Sequence, residues 1–109
     1  MFERLSRDER LLLLKFVCAF AWSDMQLEDA ERRFIERLMD RLQLSADDRA
    51  EVEHWLAIAP APGDLDPSKI PEAHRRTFLE AARAVTYADG SVDDEEREQL
   101  DHLKQALGL

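Results

Sequence analysis

Residues 85–100 read Val85-Thr86-Tyr87-Ala88-Asp89-Gly90-Ser91-Val92-Asp93-Asp94-Glu95-Glu96-Arg97-Glu98-Gln99-Leu100. An alanine-rich apolar stretch runs into Asp89-Gly90, and glycine tolerates the left-handed conformation that closes helices. Four acids follow, and carboxylates favour the positive end of a helix dipole. Val92 is expected to pin the turn to a core. The stretch therefore predicts a helix, an acidic turn and a second helix.

The same unit occurs earlier in the chain. Residues 14–44 lie on residues 79–109 at a constant offset of 65. Leu14 meets Leu79, Ala19 meets Ala84, Asp24 meets Asp89, Asp29 meets Asp94, Glu31 meets Glu96 and Arg32 meets Arg97. Leu38, Leu42 and Leu44 meet Leu103, Leu107 and Leu109, and Trp22 meets Tyr87. Any two amphipathic hairpins align their leucines. Solvated acids have no comparable reason to keep register, so the polar matches carry the repeat.

Outward from these units, helical signals fill most of the chain. Ser6 and Glu9 have capping-box spacing. From Leu11 to Trp22 nearly every residue is apolar, which predicts a central, buried helix that stops near Ser23–Asp24. Phe34, Ile35, Leu38, Met39 and Leu42 recur at helical spacing within residues 28–43. Ser45, with Asp48 three later, starts a third helix whose apolar side is Val52, Trp55 and Leu56. Pro60, Pro62, Gly63 and Pro67 cannot lie in a continuous helix. Pro71 suits a helix's first turn. Phe78, Leu79, Ala82 and Val85 mark the fourth helix, and Leu100, Leu103 and Leu107 the fifth, which starts near Asp93. No strand pattern occurs. The fold expected is all-α: a compact bundle of five or more helices made of two pseudo-symmetric helix–acidic turn–helix repeats. One domain spans 1–109, with repeat one at about 6–57, a linker at about 58–70 and repeat two at about 71–109. The copies are unequal, since only the first carries a third helix.

The turns bring oxygen-bearing side chains into one pattern. Asp89, Ser91, Asp93 and Glu96 occupy relative positions one, three, five and eight; Asp24, Gln26, Glu28 and Glu31 occupy the same positions in the first copy. Gathered carboxylates repel one another unless a cation or donor sits among them. Hard oxygen donors select Ca²⁺ or Mg²⁺ over softer metals. The pattern is not an EF-hand loop, which needs glycine at position six and glutamate at twelve. Helix capping is the competing explanation: Asp93 with Glu96 has capping-box spacing. Capping does not explain Asp24 or Asp89, which precede the turn. Met25 stands where the second copy has Gly90, and a side chain disfavours the left-handed conformation, so the first copy is the weaker site.

Composition narrows the function. The chain has 109 residues and a formal net charge of −9. Nucleic-acid binders need a basic footprint, so no nucleic acid is expected, and no anionic membrane surface. The apolar run 11–22 is interrupted by Lys15 and falls short of the roughly 20 residues that span a bilayer, so no direct membrane insertion is expected. Nothing resembles a signal peptide, which makes the cytoplasm the default. Cys18 has no cysteine partner and reads as a small buried hydrophobe. His54, His74 and His102 show no pairing with each other or with Cys18. No phosphate loop or nucleophile elbow is present. A small hydrolase using the turn carboxylates is the least favoured reading, because a turn this acidic is expected to be wet.

The stretch 85–100 resembles the signature of the TerB-like family, carried here by Ala88, Asp89, Gly90, Val92, Glu96 and Leu100, with Asp24, Leu27 and Glu31 as a degraded first copy. The resemblance implies an all-helical fold in two related halves and a cytoplasmic bacterial protein linked to tellurite resistance and stress response. It implies divalent-cation binding at the acidic turns. Relatives in that family include membrane-anchored co-chaperones, but no His-Pro-Asp tripeptide of a J domain occurs here. The expectation is thus a non-enzymatic module binding Ca²⁺ or Mg²⁺ and a protein partner. The alternative is a structural or regulatory adaptor whose acidic turns are only helix caps.

Overall fold

The computed structural model describes residues 5–22, 29–60, 65–88 and 94–109. Within them lie five α-helices: α1 (Arg7–Ala21), α2 (Asp29–Leu42), α3 (Ala46–Ala57), α4 (Arg75–Thr86) and α5 (Asp94–Ala106). No strand occurs among the described residues.

The helix starts follow from local chemistry. Ser6 Oγ accepts from the Glu9 amide at 3.2 Å, and Glu9 Oε1 accepts from the Ser6 amide at 2.7 Å. This reciprocal pair satisfies two amides that the first turn of α1 leaves without helical partners. The Ser6 amide holds the Glu9 carboxyl below its ordinary value. Ser45 caps α3 in the same manner, its Oγ accepting from the Asp48 amide at 3.2 Å. Between α3 and α4, Asp66 caps a 3-10 turn at Pro67–Lys69, and a second 3-10 turn, Glu72–His74, leads straight into α4. Pro71 precedes that turn, where its missing N–H costs nothing.

α1 is central, packing against α2, α3 and α4. Leu13, Leu14, Val17, Cys18 and Ala21 are fully buried, as an all-round apolar helix requires. Its most extensive contact is with α4, and at their seam Phe16 and Phe78 meet edge to face with ring centroids 6.1 Å apart. α5 closes on α4 and on the Pro67–Lys69 turn, whose neighbour Ile70 is buried. The radius of gyration, 12.8 Å, is that expected of a single packed domain of about this length. No helix among the described residues is long and apolar enough to cross a membrane.

Several features recur at a spacing of 65 residues. α1 ends at Ala21 and α4 at Thr86. Trp22 donates its amide to Cys18 O at 3.1 Å, and Tyr87 donates its own to Arg83 O at 3.0 Å. Arg10 Nη1 donates to Leu42 O at 3.3 Å, and Arg75 Nη1 donates to Leu107 O at 3.3 Å. Gln43, just past α2, has φ 54°, and Gly108, past α5, has φ 74°.

α3 is held by contacts distant in sequence. Arg7 Nε and Nη2 grip the Asp48 carboxylate at 2.9–3.2 Å. Arg7 holds that carboxyl below its ordinary value. Arg49 pairs with Asp40 of α2. Trp22 Nε1 donates to Trp55 O at 2.9 Å, and Lys15 Nζ lies 6.0 Å from the Trp55 ring centroid.

Candidate functional site

The proposed ligand set divides unequally between described and undescribed residues. Asp24, Glu28, Asp89, Ser91 and Asp93, with Gln26 and Val92, lie outside the described residues. Glu31 and Glu96, the residues at relative position eight, are described. Glu31 lies in the first turn of α2 and Glu96 in the first turn of α5. Each therefore sits near the positive end of a helix dipole, where a carboxylate is favoured.

Glu31 is the informative one. It is only 5% exposed, whereas the neighbouring Arg32 and Arg33 are exposed. Burying a carboxylate is costly unless something answers its charge. Neither Glu31 nor Glu96, which is half-buried, is without an interaction partner. Glu31 is thus buried near the start of α2, and Glu96 half-buried near the start of α5. Asp94, at the head of α5, is exposed. Among the described residues alone, no three His, Cys, Asp or Glu side chains converge. The oxygen-only donor set suits a hard cation, and any full site would draw its other donors from residues 24–28 and 89–93.

The remaining chemically able side chains sit apart. Cys18 is fully buried, and that burial pushes its thiol up to about 12. A thiol so protonated is inert as a nucleophile at neutral pH. His54 and His102 are exposed. His74 Nε2 lies 3.6 Å from Glu9 Oε2, tying the turn before α4 to the start of α1. Trp22 is half-buried, with its indole N–H bonded to the backbone of α3.

Two arginines escaped the sequence reading. Arg10 donates to the carbonyl of Leu42, the last residue of α2, and Arg75 to that of Leu107, just past α5. Such a bond satisfies a carbonyl that a helix C-terminus leaves without a helical partner. The signal was present: the register of 65 extends four residues before Leu14, where Arg10 meets Arg75. Comparison with family models, with curated proteins and with solved structures matches none of them.

Proposed function

We propose that this chain is a non-enzymatic TerB-like binding domain, built of two helix–acidic turn–helix copies, whose turn carboxylates hold Ca²⁺ or Mg²⁺. In this reading Asp89, Ser91, Asp93 and Glu96 form the stronger site, and Asp24, Glu28 and Glu31 belong to the weaker one. The module works by binding a protein partner in the cytoplasm, in the setting of tellurite resistance or stress response that the family resemblance implies. The observation that carries the proposal is the buried Glu31 carboxylate, set where Glu96 is set in the other helix pair. The repeat is supported by the ends of α1 and α4, 65 residues apart, and by the paired Arg10–Leu42 and Arg75–Leu107 bonds.

One observation favours a second reading. This chain already uses Glu9 as a cap, accepting from the Ser6 amide. Acids at the other helix starts then serve the same end, and the domain is a structural or regulatory adaptor without a cation.

Calorimetric titration with Ca²⁺ and with Mg²⁺, on the wild type and on Asp89→Ala, separates the two. Binding heat that disappears in Asp89→Ala supports the cation site. Absence of heat in both proteins, with a lowered melting temperature in the variant, leaves only capping.

A further inference from the structure

α2 and α4 pack against each other, and a hollow of about 1110 Å³ opens along their seam. Its floor is apolar: Phe34 and Leu38 come from α2, Ala81 and Ala84 from α4. Phe34 is half-buried and Ala84 exposed, so this floor meets solvent. The volume is just above the roughly 300–1,000 Å³ of ligand clefts, which share apolar walls and a few converging polar groups. Two turns of α2, from Phe34 to Leu42, give the hollow a length of about 12 Å.

The charge around this floor is not balanced. Arg10, Arg37 and Arg41 line it, against Asp40 and Glu80. Asp40 is committed to Arg49, which lies outside the hollow. Glu80 alone then faces three guanidinium groups. Arg37 and Arg41 stand one turn apart on α2, are exposed, and form no ion pair with any described residue. Arg41 also answers the negative end of the α2 dipole, but Arg37, a turn earlier, has no such use. Arg10 is half-buried: its Nη1 holds Leu42 O, its Nε is buried without an acceptor, and no carboxylate among the described residues pairs with it. A guanidinium withdrawn from water without a counter-charge is costly. In a chain of net charge −9, a surplus of bases around an apolar floor runs against the average and needs a cause.

We propose that this hollow binds a small amphipathic carboxylate, an aliphatic chain ending in one carboxylate group. The planar guanidinium meets a carboxylate in two parallel hydrogen bonds, which an ammonium does not. The head sits among Arg10, Arg37 and Arg41, toward the C-terminal end of α2, and the chain lies along Phe34, Ala81 and Ala84. Bound there, the carboxylate supplies the counter-charge that Arg10 lacks. Glu80 disfavours a dianionic head such as phosphate, because like charges repel. The proposal rests neither on the acidic turns nor on the two-copy reading, and it needs no cation.

The probe is decanoate, kept below micelle formation and titrated into the full ¹⁵N-labelled chain with chelator present. The expected result is saturable shifts at Leu38, Arg41, Ala81 and Ala84. Decanol has the chain without the charge, and acetate the charge without the chain; each should bind at least about fivefold more weakly. Decanoate itself should bind at least about fivefold more weakly to the double variant Arg37→Gln, Arg41→Gln, and to Ala84→Leu, which fills the floor. All three positions are exposed, so these variants should keep the wild-type circular dichroism. Four results overturn the proposal. One is no saturable shift. Another is decanol binding as tightly as decanoate, which leaves the arginines without a part. The third is tighter binding of decyl phosphate, which makes the head a dianion. The fourth is concentration-dependent dimerisation abolished by Ala84→Leu, which makes a second copy the occupant. None of these bears on the cation reading, which the Asp89→Ala titration tests without chelator.

Discussion

The outer faces of α1 and α4 have the same spacing and opposite chemistry. On α1 the face reads Leu11, Lys15, Cys18 and Trp22; on α4 it reads Arg76, Glu80, Arg83 and Tyr87. Cys18 is fully buried, whereas Arg83 is exposed. The difference is α3, which lies over the first face and is absent from the second. Where that face is fully buried, at Cys18, it carries no charge, because an unpaired buried charge is costly, whereas half-buried Lys15 keeps its charge beside the Trp55 ring. An uncovered face keeps it, since exposed charge maintains solubility. The inner faces do not diverge in this way: Leu13 and Leu14 are buried against the same core as Phe78 and Leu79. What distinguishes the two faces is thus the helix over one of them, and Cys18 stands on the covered face where Arg83 stands on the other.

Exchanging residues across that comparison gives the largest expected effect. Cys18→Arg places a guanidinium where nothing can pair with it, and should cost at least about 4 kcal/mol, a large part of a small domain's stability. Arg83→Cys should change stability by no more than about 0.5 kcal/mol, as exposed substitutions do. Urea unfolding of both variants checks this. Equal effects would show that α3 does not decide the burial of this face.

The aromatic pair gives a smaller asymmetry. Trp22→Ala removes a half-buried ring and its bond to Trp55 O, for a loss of about 2–3 kcal/mol. Tyr87→Ala should cost about 0.5 kcal/mol or less, because the ring is largely in solvent. A comparable loss in Tyr87→Ala would mean that its ring is buried in the folded protein.

Legibility in the sequence followed the range of the interaction. The capping spacing of Ser6 with Glu9 and of Ser45 with Asp48 marked two helix starts that the structure shows. The apolar run from Leu11 marked the central helix. These are local signals. The grip of Arg7 on Asp48 spans 41 residues, and no spacing rule points to it. The 3-10 turn at 67–69 lies in the stretch 58–70 that read as linker, because prolines exclude α-helix without specifying what replaces it, and the turn at 72–74 stands where the sequence predicted the first turn of the fourth helix. Gln43 gave no sign of its positive φ, since glycine is the residue that usually announces one. Of the seven residues in the proposed ligand set, Glu31 and Glu96 are described; the burial of Glu31 follows from packing that acidity alone does not reveal.

The hold of α3 on the first half depends on pH. Arg7 depresses the folded-state value of the Asp48 carboxyl below its ordinary 3.8. A depressed carboxyl contributes stability that is fully present above the unfolded-state value and lost as pH falls through the folded one. Unfolding followed from pH 6 to pH 2 should therefore lose stability on the acid side of about pH 4. Asp48→Asn should flatten that slope while lowering stability near neutrality. An unchanged acid slope in the variant would remove Asp48 from this role.

The two arginine bonds test where the halves agree. Arg10→Ala and Arg75→Ala each remove a donor to a carbonyl at the end of a second helix, and the loss of that bond should cost about 1 kcal/mol in each. Arg75 Nε donates as well to Ile70 O at 3.3 Å, so Arg75→Ala removes two bonds and should be the costlier variant by up to about 1 kcal/mol. Arg10 also leaves Nε buried without a hydrogen-bond acceptor, a desolvation penalty that its removal relieves. Both differences make Arg10→Ala the milder variant. The reverse order would break the equivalence.

The smallest effect concerns the residues that close α2 and α5. Gln43 and Gly108 both have positive φ, 54° and 74°. An L side chain in this region is strained by the approach of Cβ to the following carbonyl, whereas glycine is not. Gln43 carries that strain and Gly108 does not. Gln43→Gly should then stabilise by about 0.5 kcal/mol, the relief of strain being partly offset by the greater freedom glycine brings to the unfolded chain. Gly108→Ala should destabilise by a similar amount, about 0.5 kcal/mol. A Cβ at Gly108 would meet nothing within 4 Å, so its cost isolates the backbone contribution from any clash. Opposite signs of similar size, read from thermal unfolding, would show that the copies share a left-handed closure which only one fills with the residue suited to it. If Gln43→Gly instead destabilises, the glutamine side chain contributes more than its strain takes away, and the two closures differ in kind.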